Sequence, residues 1–432
     1  MLVLSAGRIA GATIEFSALI GGGKEWSRES INDIVIDRQG NIYLAGETQS
    51  YDFPATVVYG NKDIGQKCFV VKLSPDGSRI VYATVLAGGA GRALAVDATG
   101  NVVVTGETDR ADFPVKNAVQ SAKARGAANS ELGGFDAFVA KLDASGQLVF
   151  STFYGGTDRE MGLGIALDGA GDVWVVGLTV STDLPVSTSA AKTSFAGKED
   201  AFVLKLSGDG SQRLVSSYLC GSGVDNATTV VLAADGKVLV GGLSNSKDFE
   251  GGTMRQFGAR SGRDAFVARL NPATAAVEHL VYLGGSGTEG VAALTLDRDG
   301  NWYLTGVTGS DDFPTTAGSA QSQQASGFES FAAKVNAAGS ELIYATYLAG
   351  SMTVEPLTWP MIGQGYPKSG LAVDESGRAL VVSTLNGDGL VIRLDGDGKR
   401  NGVEEWNSKR RVEGTQAGQG GGPGKPGKDG GA

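Results

Sequence analysis

Acidic side chains are the reactive groups this sequence repeats most. Asp52, Asp112, Asp183, Asp248 and Asp312 fall in one recurring segment, written SYDFP, RADFP, STDLP, SKDFE and SDDFP in turn. Asp158, Glu160, Asp225 and Glu289 fall in a second, which follows a Gly-rich step such as GGTDRE or GSGTEG. Oxygen-rich loops of this kind suit Ca²⁺. They equally suit a repeated turn, in which Asp bonds the backbone, Phe packs and Pro fixes the loop. The sharpest single motif is DGDGKRNGVEEW, beginning at Asp395. Against the spacing of a helix–loop–helix calcium loop, Asp395 is the third position and Asp397 the fifth. Gly398 is the sixth, Asn401 the ninth and Glu404 the twelfth. Arg393 stands first, where Asp is usual, which removes a ligand and adds a repelling charge. The same residues align with the turns SPDG and SGDG elsewhere in the chain. Ca²⁺ held by Asp395, Asp397, Asn401 and Glu404 is thus the only cofactor the sequence suggests, with a plain turn as its rival.

Other chemistry has little to stand on. His279 is the single histidine, so a Ser-His-Asp triad needs it, and histidine-based metal clusters are excluded. It lies in an apolar run, VEHLVYLGG. Asp136, Asp200 and Asp264 each open a DAF triplet. An active site needs one constellation, so repetition favours structural hydrogen bonds to a turn or a neighbouring strand. The same holds for Asp37, Asp97, Asp168, Asp297 and Asp374, for Thr48, Thr108, Thr179 and Thr308, and for Lys72, Lys141, Lys205, Arg269, Lys334 and Arg393.

These residues recur because the chain repeats. DIVIDRQGNIYLAGETQSYDFP at 33–54 returns five more times, starting at Ala93, Gly164, Thr229, Ala293 and, in worn form, Gly370. Each copy precedes a block like DAFVAKLDASGQLVFSTFYGG, and the period is 60 to 77 residues. One unit holds four short β-rich runs, A to D, with turns such as RQGN between A and B and DASG between C and D. Such runs and turns are antiparallel hairpins. Four strands with two apolar faces hide both by stacking radially on their neighbours. The fold expected is an all-β propeller of four-stranded blades, with a β-solenoid as the rival. Six blades are favoured over seven. Residues 12–20 resemble a D run, and GKRNGVEEWNSKRR after the sixth C run is polar. Closure is therefore expected from 12–20 pairing beside 390–394.

The motifs GNIYLAGET, GNVVVTGET, DFP at Asp52, Asp112 and Asp312, DAFV at Asp136, Asp200 and Asp264, and STFYGG at Ser151 resemble the bacterial SBBP β-propeller repeat family across about residues 5 to 394. The resemblance implies a propeller, usually on secreted or envelope-associated bacterial proteins, and no particular activity. Two departures stand out: the count favours six units, and the fourth unit carries Ala233 and Glu250 where the pattern has Asp and Pro. The loop at Asp395 also resembles calcium loops of bacterial dockerin and thrombospondin-type repeats.

Composition sets the remaining bounds. The 432 residues carry a formal charge of −10 and 67 glycines, and no basic stripe. Nucleic-acid binding is therefore not expected. No apolar run is long enough for a membrane helix, and MLVLSAGRIAGATIEF does not read as a signal peptide. Cys68 and Cys220 fall in separate units, too far apart to bridge. The propeller is expected over 1–408 and a disordered Gly/Pro/Lys-rich tail over 409–432. Two insertions break the repeat, at 116–134 and 351–369. The second carries Trp359, Met361, Ile362 and Tyr366, a contact surface or a plug for the channel. The function expected is a non-enzymatic, extracellular or envelope-associated module that binds a protein or glycan by its loop face. The alternative is a glycan-active lyase or hydrolase using carboxylate, Tyr or Arg groups at the channel mouth.

Overall fold

The structure is a computed structural model. It describes residues 3–405 apart from 5–6, 10–11, 15–17, 23–27, 62–64, 125–133, 250, 326, 353–369 and 386–387. Among the described residues the regular elements are all strands. Six sheets follow one another along the chain, each built on four antiparallel strands in the order A-B-C-D. The third shows the pattern: Glu160–Leu167, Val173–Thr179, Asp200–Leu206 and Arg213–Leu219.

The turn residues explain the hairpins. Asp168 Oδ1 accepts the N–H groups of Ala170 and Asp172. Gly171 supplies φ of 82°, a left-handed conformation that glycine adopts without strain. Asp37, Asp97, Asp297 and Asp374 cap their A–B turns in the same way. In the fourth unit, where Ala233 replaces the Asp, Asp235 Oδ1 accepts from Lys237 N instead. The basic residue of strand C closes on this turn. Lys205 Nζ lies 3.0 Å from Asp168 and 2.9 Å from Asp172, and stands 5.3 Å above the Trp174 ring.

Alternate side chains of each sheet fill the seams to either side. Five apolar clusters join the first sheet to the second, the second to the third, and so on to the sixth. Trp174, Phe202, Tyr282, Trp302 and Phe331 are fully buried there, each contributing about 1.5–3 kcal/mol by leaving water. A sixth cluster, with Ile42, Leu44, Phe69 and Val71, draws only on the first sheet and its loops. On that face Ile34 and Ile36 remain 57% and 62% exposed, and on the far face of the sixth sheet Val382 remains 42% exposed.

Strand A is bulged in each of the first five sheets, between Ile31/Asp33, Gly91/Ala93, Gly162/Gly164, Ala227/Thr229 and Val291/Ala293. A bulge sharpens twist and re-aims a side chain. In the first and fourth sheets it turns the extra residue toward the next sheet. Asn32 Nδ2 donates to the Gly91 carbonyl at 2.8 Å, and Thr228 Oγ1 to the Val291 carbonyl at 2.6 Å.

Two features differ from the sequence reading. The fourth strand of the sixth sheet is Arg400–Glu405, paired on Asp388–Leu394, whose other edge is held by Ala379–Leu385. Residues 12–20 therefore do not pair beside 390–394. Ala12–Ile14 pairs with Gly7–Ile9, and Ala18–Leu19 with Val3–Leu4. The physical reason is locality. A tight turn closes a neighbouring hairpin at less entropic cost than a strand brought from the far end of the chain. A backbone ladder does not require apolar side chains. Secondly, the units are not all four-stranded. In the first and fourth sheets the B–C connection adds a parallel fifth strand, Val57–Tyr59 or Thr253–Gly258, outside D. The tail expected over 409–432 lies outside the described residues.

Candidate functional site

Strands A start, B end and C start at the same end of every sheet, so the D–A and B–C connections share one face. The loop acids expected there are largely committed to each other's loops. Asp183 Oδ1 accepts from Thr157 N at 2.9 Å and Thr157 Oγ1 at 3.1 Å. Asp248 and Asp312 accept likewise from Ser222 and Ser286. These bonds hold the Asp248 and Asp312 carboxyls below the usual carboxylate range. Asp112 instead forms an ion pair with Arg110 at 2.8 Å. The neighbouring Phe packs on the Phe at the DAF position: Phe53 on Phe69, Phe113 on Phe138, Phe313 on Phe331. The DFP segment is thus a clamp between two loops.

Beneath it runs a row of buried acids. Glu160 accepts from Thr179 Oγ1 at 2.5 Å and from Gly156 N at 2.9 Å. Glu289 accepts from Thr308 Oγ1, Ser310 Oγ and Gly285 N. Asp225 accepts from Ser244, Ser246 and Gly221. Each faces the DAF acid of the preceding sheet. Burial pushes Glu160 up to about 7, with the Asp136 charge adding to the rise. Burial also pushes Asp136 up to about 6, against the Ala124 N–H and the Lys123 ammonium. These are seam-fastening groups repeated from sheet to sheet.

One set of charges is not repeated. Arg92, in the bulge of the second A strand, grips Glu107 through Nε at 2.9 and 3.0 Å and lies 3.7 Å from Glu47. Arg159 acts on both Glu107 and Glu199. Glu199 is bonded by Asn226 and also feels Arg263. Arg92, Glu107, Arg159 and Glu199 are all buried. Burial raises Glu107 and Glu199, with the arginines opposing. The result is an alternating string of acid and base across the loop ends of the first four sheets. The sequence reading passed over it. Its signal was a departure from the repeat: Glu47 and Glu107 stand where later units have Leu178, Leu243 and Val307.

The expected site residues divide three ways. Trp359, Met361, Ile362 and Tyr366 lie outside the described residues. Asp395 Oδ1 accepts from Asp397 N at 3.1 Å and Lys399 N at 2.8 Å, and Gly398 has φ of 79°. Asp143 and Gly146 show the same geometry in the second sheet. Asn401 and Glu404 follow on strand Arg400–Glu405. Among the described residues, no three His, Cys, Asp or Glu side chains gather as a metal-binding group. His279 sits on strand D of the fourth sheet. Its Nε2 donates to the Gly339 carbonyl at 3.2 Å, leaving Nδ1 to accept from Thr253 Oγ1. Cys68 and Cys220 are buried free thiols. Among the described residues, no helix is long and apolar enough to cross a membrane.

Residues 15–54 match the family model of the SBBP beta-propeller repeat. No curated protein matches the sequence. Among solved structures the chain is similar to the Neurospora crassa Pan2 WD40 domain, with 9% identity, 86% of this chain and 84% of that one covered, and a TM-score of 0.42. It is similar to the Dos1 propeller, with 10% identity, 89% and 76% covered, and a TM-score of 0.40. It is also similar to an ulvan lyase, with 10% identity, 88% and 86% covered, and a TM-score of 0.42.

Proposed function

We propose that this chain, which carries the SBBP β-propeller repeat, is a non-enzymatic binding or scaffolding module of a bacterial envelope or exterior. It engages a protein or glycan through the face of its D–A and B–C connections. The six sheets act as six blades, and the ring closes by packing the Ile34/Ile36 face of the first against the Leu380/Val382 face of the sixth. The observation that carries the binding reading is the commitment of the loop acids. Asp183, Asp248 and Asp312 each commit Oδ1 to a neighbouring loop, which builds a firm rim and ties these carboxylates to a structural role. On such a rim, specificity falls to what is not repeated. In sequence, the 351–369 insertion leads from the fifth sheet to the sixth, and the other units carry nothing like it. Trp359, Met361, Ile362 and Tyr366 are the contact surface we assign to it, since large aromatic and Met side chains are enriched at interface cores.

The alternating charge string favours a second reading. Arg92, Glu107, Arg159 and Glu199 form the kind of unrepeated set that a glycan-active lyase or hydrolase would need. Their pairing with one another and their burial support binding over catalysis. One experiment separates the two. The protein is titrated calorimetrically with acidic oligosaccharides and, in parallel, incubated with the parent polysaccharides while new chain ends are counted. Binding without new ends, weakened about tenfold or more by Trp359→Ala (about 1.4 kcal/mol), supports the module. New ends that vanish in Glu107→Gln establish the enzyme. Heat without a Trp359 effect removes the insertion as the contact surface.

A further inference from the structure

The seams differ in how they satisfy the DAF acid. In the second sheet Asp136 accepts from Ala124 N at 3.0 Å, and Lys123 Nζ stands 3.7 Å away. In the third, Asp200 accepts from Ala196 N at 2.8 Å and Gly197 N at 3.0 Å. The Cys220 thiol also bonds it. In the fifth, Glu329 accepts from Ala325 N and Gln321 Nε2. In each case the end of the B–C connection supplies an N–H. In the fourth sheet that connection is diverted into the extra edge strand Thr253–Gly258. The residue four before Asp264 is Arg260, which turns its guanidinium over the Tyr282 ring and onto the Ser246 carbonyl. Asp264 is 1% exposed, and both its carboxylate oxygens are without a hydrogen-bond partner among the described residues.

A second carboxylate faces it. A Cβ built on Gly284 would stand 2.1 Å from Asp264 Oδ1 and 3.0 Å from Glu289 Oε2, so both acids converge on one side of that glycine. At the equivalent position of the previous seam Cys220 replaces the glycine, and its thiol bonds the acid there. Glu289 already has three donors, from Thr308, Ser310 and Gly285. Asp264 has none. A buried carboxylate with no donor, beside another carboxylate, is among the costliest arrangements a fold can hold in ionised form. Protonation removes the cost and creates the donor. A metal ion fits less well: Ca²⁺ needs six or more oxygens, and no third acidic side chain joins these two among the described residues.

We propose that Asp264 and Glu289 share one proton across the seam between the fourth and fifth sheets, so that this seam tightens in mild acid and loosens as the pH rises. The other charges acting on the pair are Arg260, which favours the ionised Asp264, and Asp312, which disfavours the ionised Glu289. Burial, then the Glu289 charge, pushes Asp264 up to about 6 from its ordinary 3.8. A raised carboxyl value means that the folded state holds the proton more tightly. The stabilisation is complete below the ordinary value and is lost as the pH climbs through about 6. The rise corresponds to about a hundredfold in the unfolding equilibrium.

The test compares the wild type with Asp264→Asn in metal-free buffers from pH 4.5 to 8. Asn keeps the shape and donates an N–H to Glu289 at every pH. Over this range the group should account for about a thirtyfold fall in the wild type's unfolding equilibrium, which the variant should lack, leaving it the more stable protein at pH 8. A difference between the two that does not change with pH overturns the proposal. So does a Ca²⁺-induced rise of the wild-type melting temperature at pH 8 that is absent in Asp264→Asn, which would make the occupant a cation. Should the variant not fold, Glu289→Gln is run over the same range: its amide donates to Asp264 at every pH, so its fall in stability must also be smaller than the wild type's, and an unchanged fall overturns the proposal.

Discussion

The third and first sheets have the same strands and turns but different surroundings. In the third, Val175 and Leu204 face one neighbour while Trp174 and Val203 face the other, and all are buried. In the first, Tyr43, Ala45 and Val70 are buried against the second sheet. On its other face Ile34 and Ile36 stand largely exposed. The sixth sheet mirrors this with Leu380, Val382 and Val391. A repeat unit is therefore complete in hydrogen bonds and incomplete in burial. Its stability comes from seams, as nearest-neighbour models of repeat proteins require, and the two end faces are what remains to be matched.

The largest expected effect breaks an inner seam. Phe202→Ala, at a fully buried position between the second and third sheets, should cost about 3–5 kcal/mol, read as a fall in the denaturant midpoint. The same deletion at an end face sharpens the contrast. Ile34→Ala should cost about 1 kcal/mol or less if the face stays open, and more than about 2 kcal/mol if the sixth sheet covers it. A cost as large as that of Phe202→Ala would place the first sheet among fully enclosed ones.

Turns should matter less than either seam. Asp168→Ala removes two backbone bonds and one of the two carboxylates paired with Lys205, with an expected loss of about 1 kcal/mol. Asp395→Ala removes the same two backbone bonds in the sixth sheet and should cost no more. The Asp395 loop also allows a direct check of calcium. If it is only a turn, millimolar Ca²⁺ leaves the melting temperature of wild type and Asp397→Ala equally unchanged. A rise seen only in the wild type would restore Asp395, Asp397, Asn401 and Glu404 as ligands.

What the sequence disclosed follows from what its signals encode. Alternating apolar runs and Asp-Gly turns report local geometry, so strands A to D and their hairpins were legible. Parallel edge strands leave no such mark. Val57–Tyr59 and Thr253–Gly258 join mainly through a parallel backbone ladder, and TMRQFG has no alternation to betray it. Arg400–Glu405 escaped for the same reason, as polarity masked a strand fixed by its turn. The charge string and the isolation of Asp264 are absences from a pattern. They become visible only when units are compared position by position and the B–C connections are seen in space.

The most direct test of ring closure is a distance. With Cys68 and Cys220 buried, spin labels placed by Ile34→Cys and Val382→Cys report the separation of the first and sixth sheets. Packed sheets lie about 10 Å apart. Six blades that close on themselves predict one narrow distribution consistent with a single such spacing. A distribution centred near or beyond about twice that spacing would mean that another layer, or open solvent, stands between the ends, and would contradict a closed ring of six.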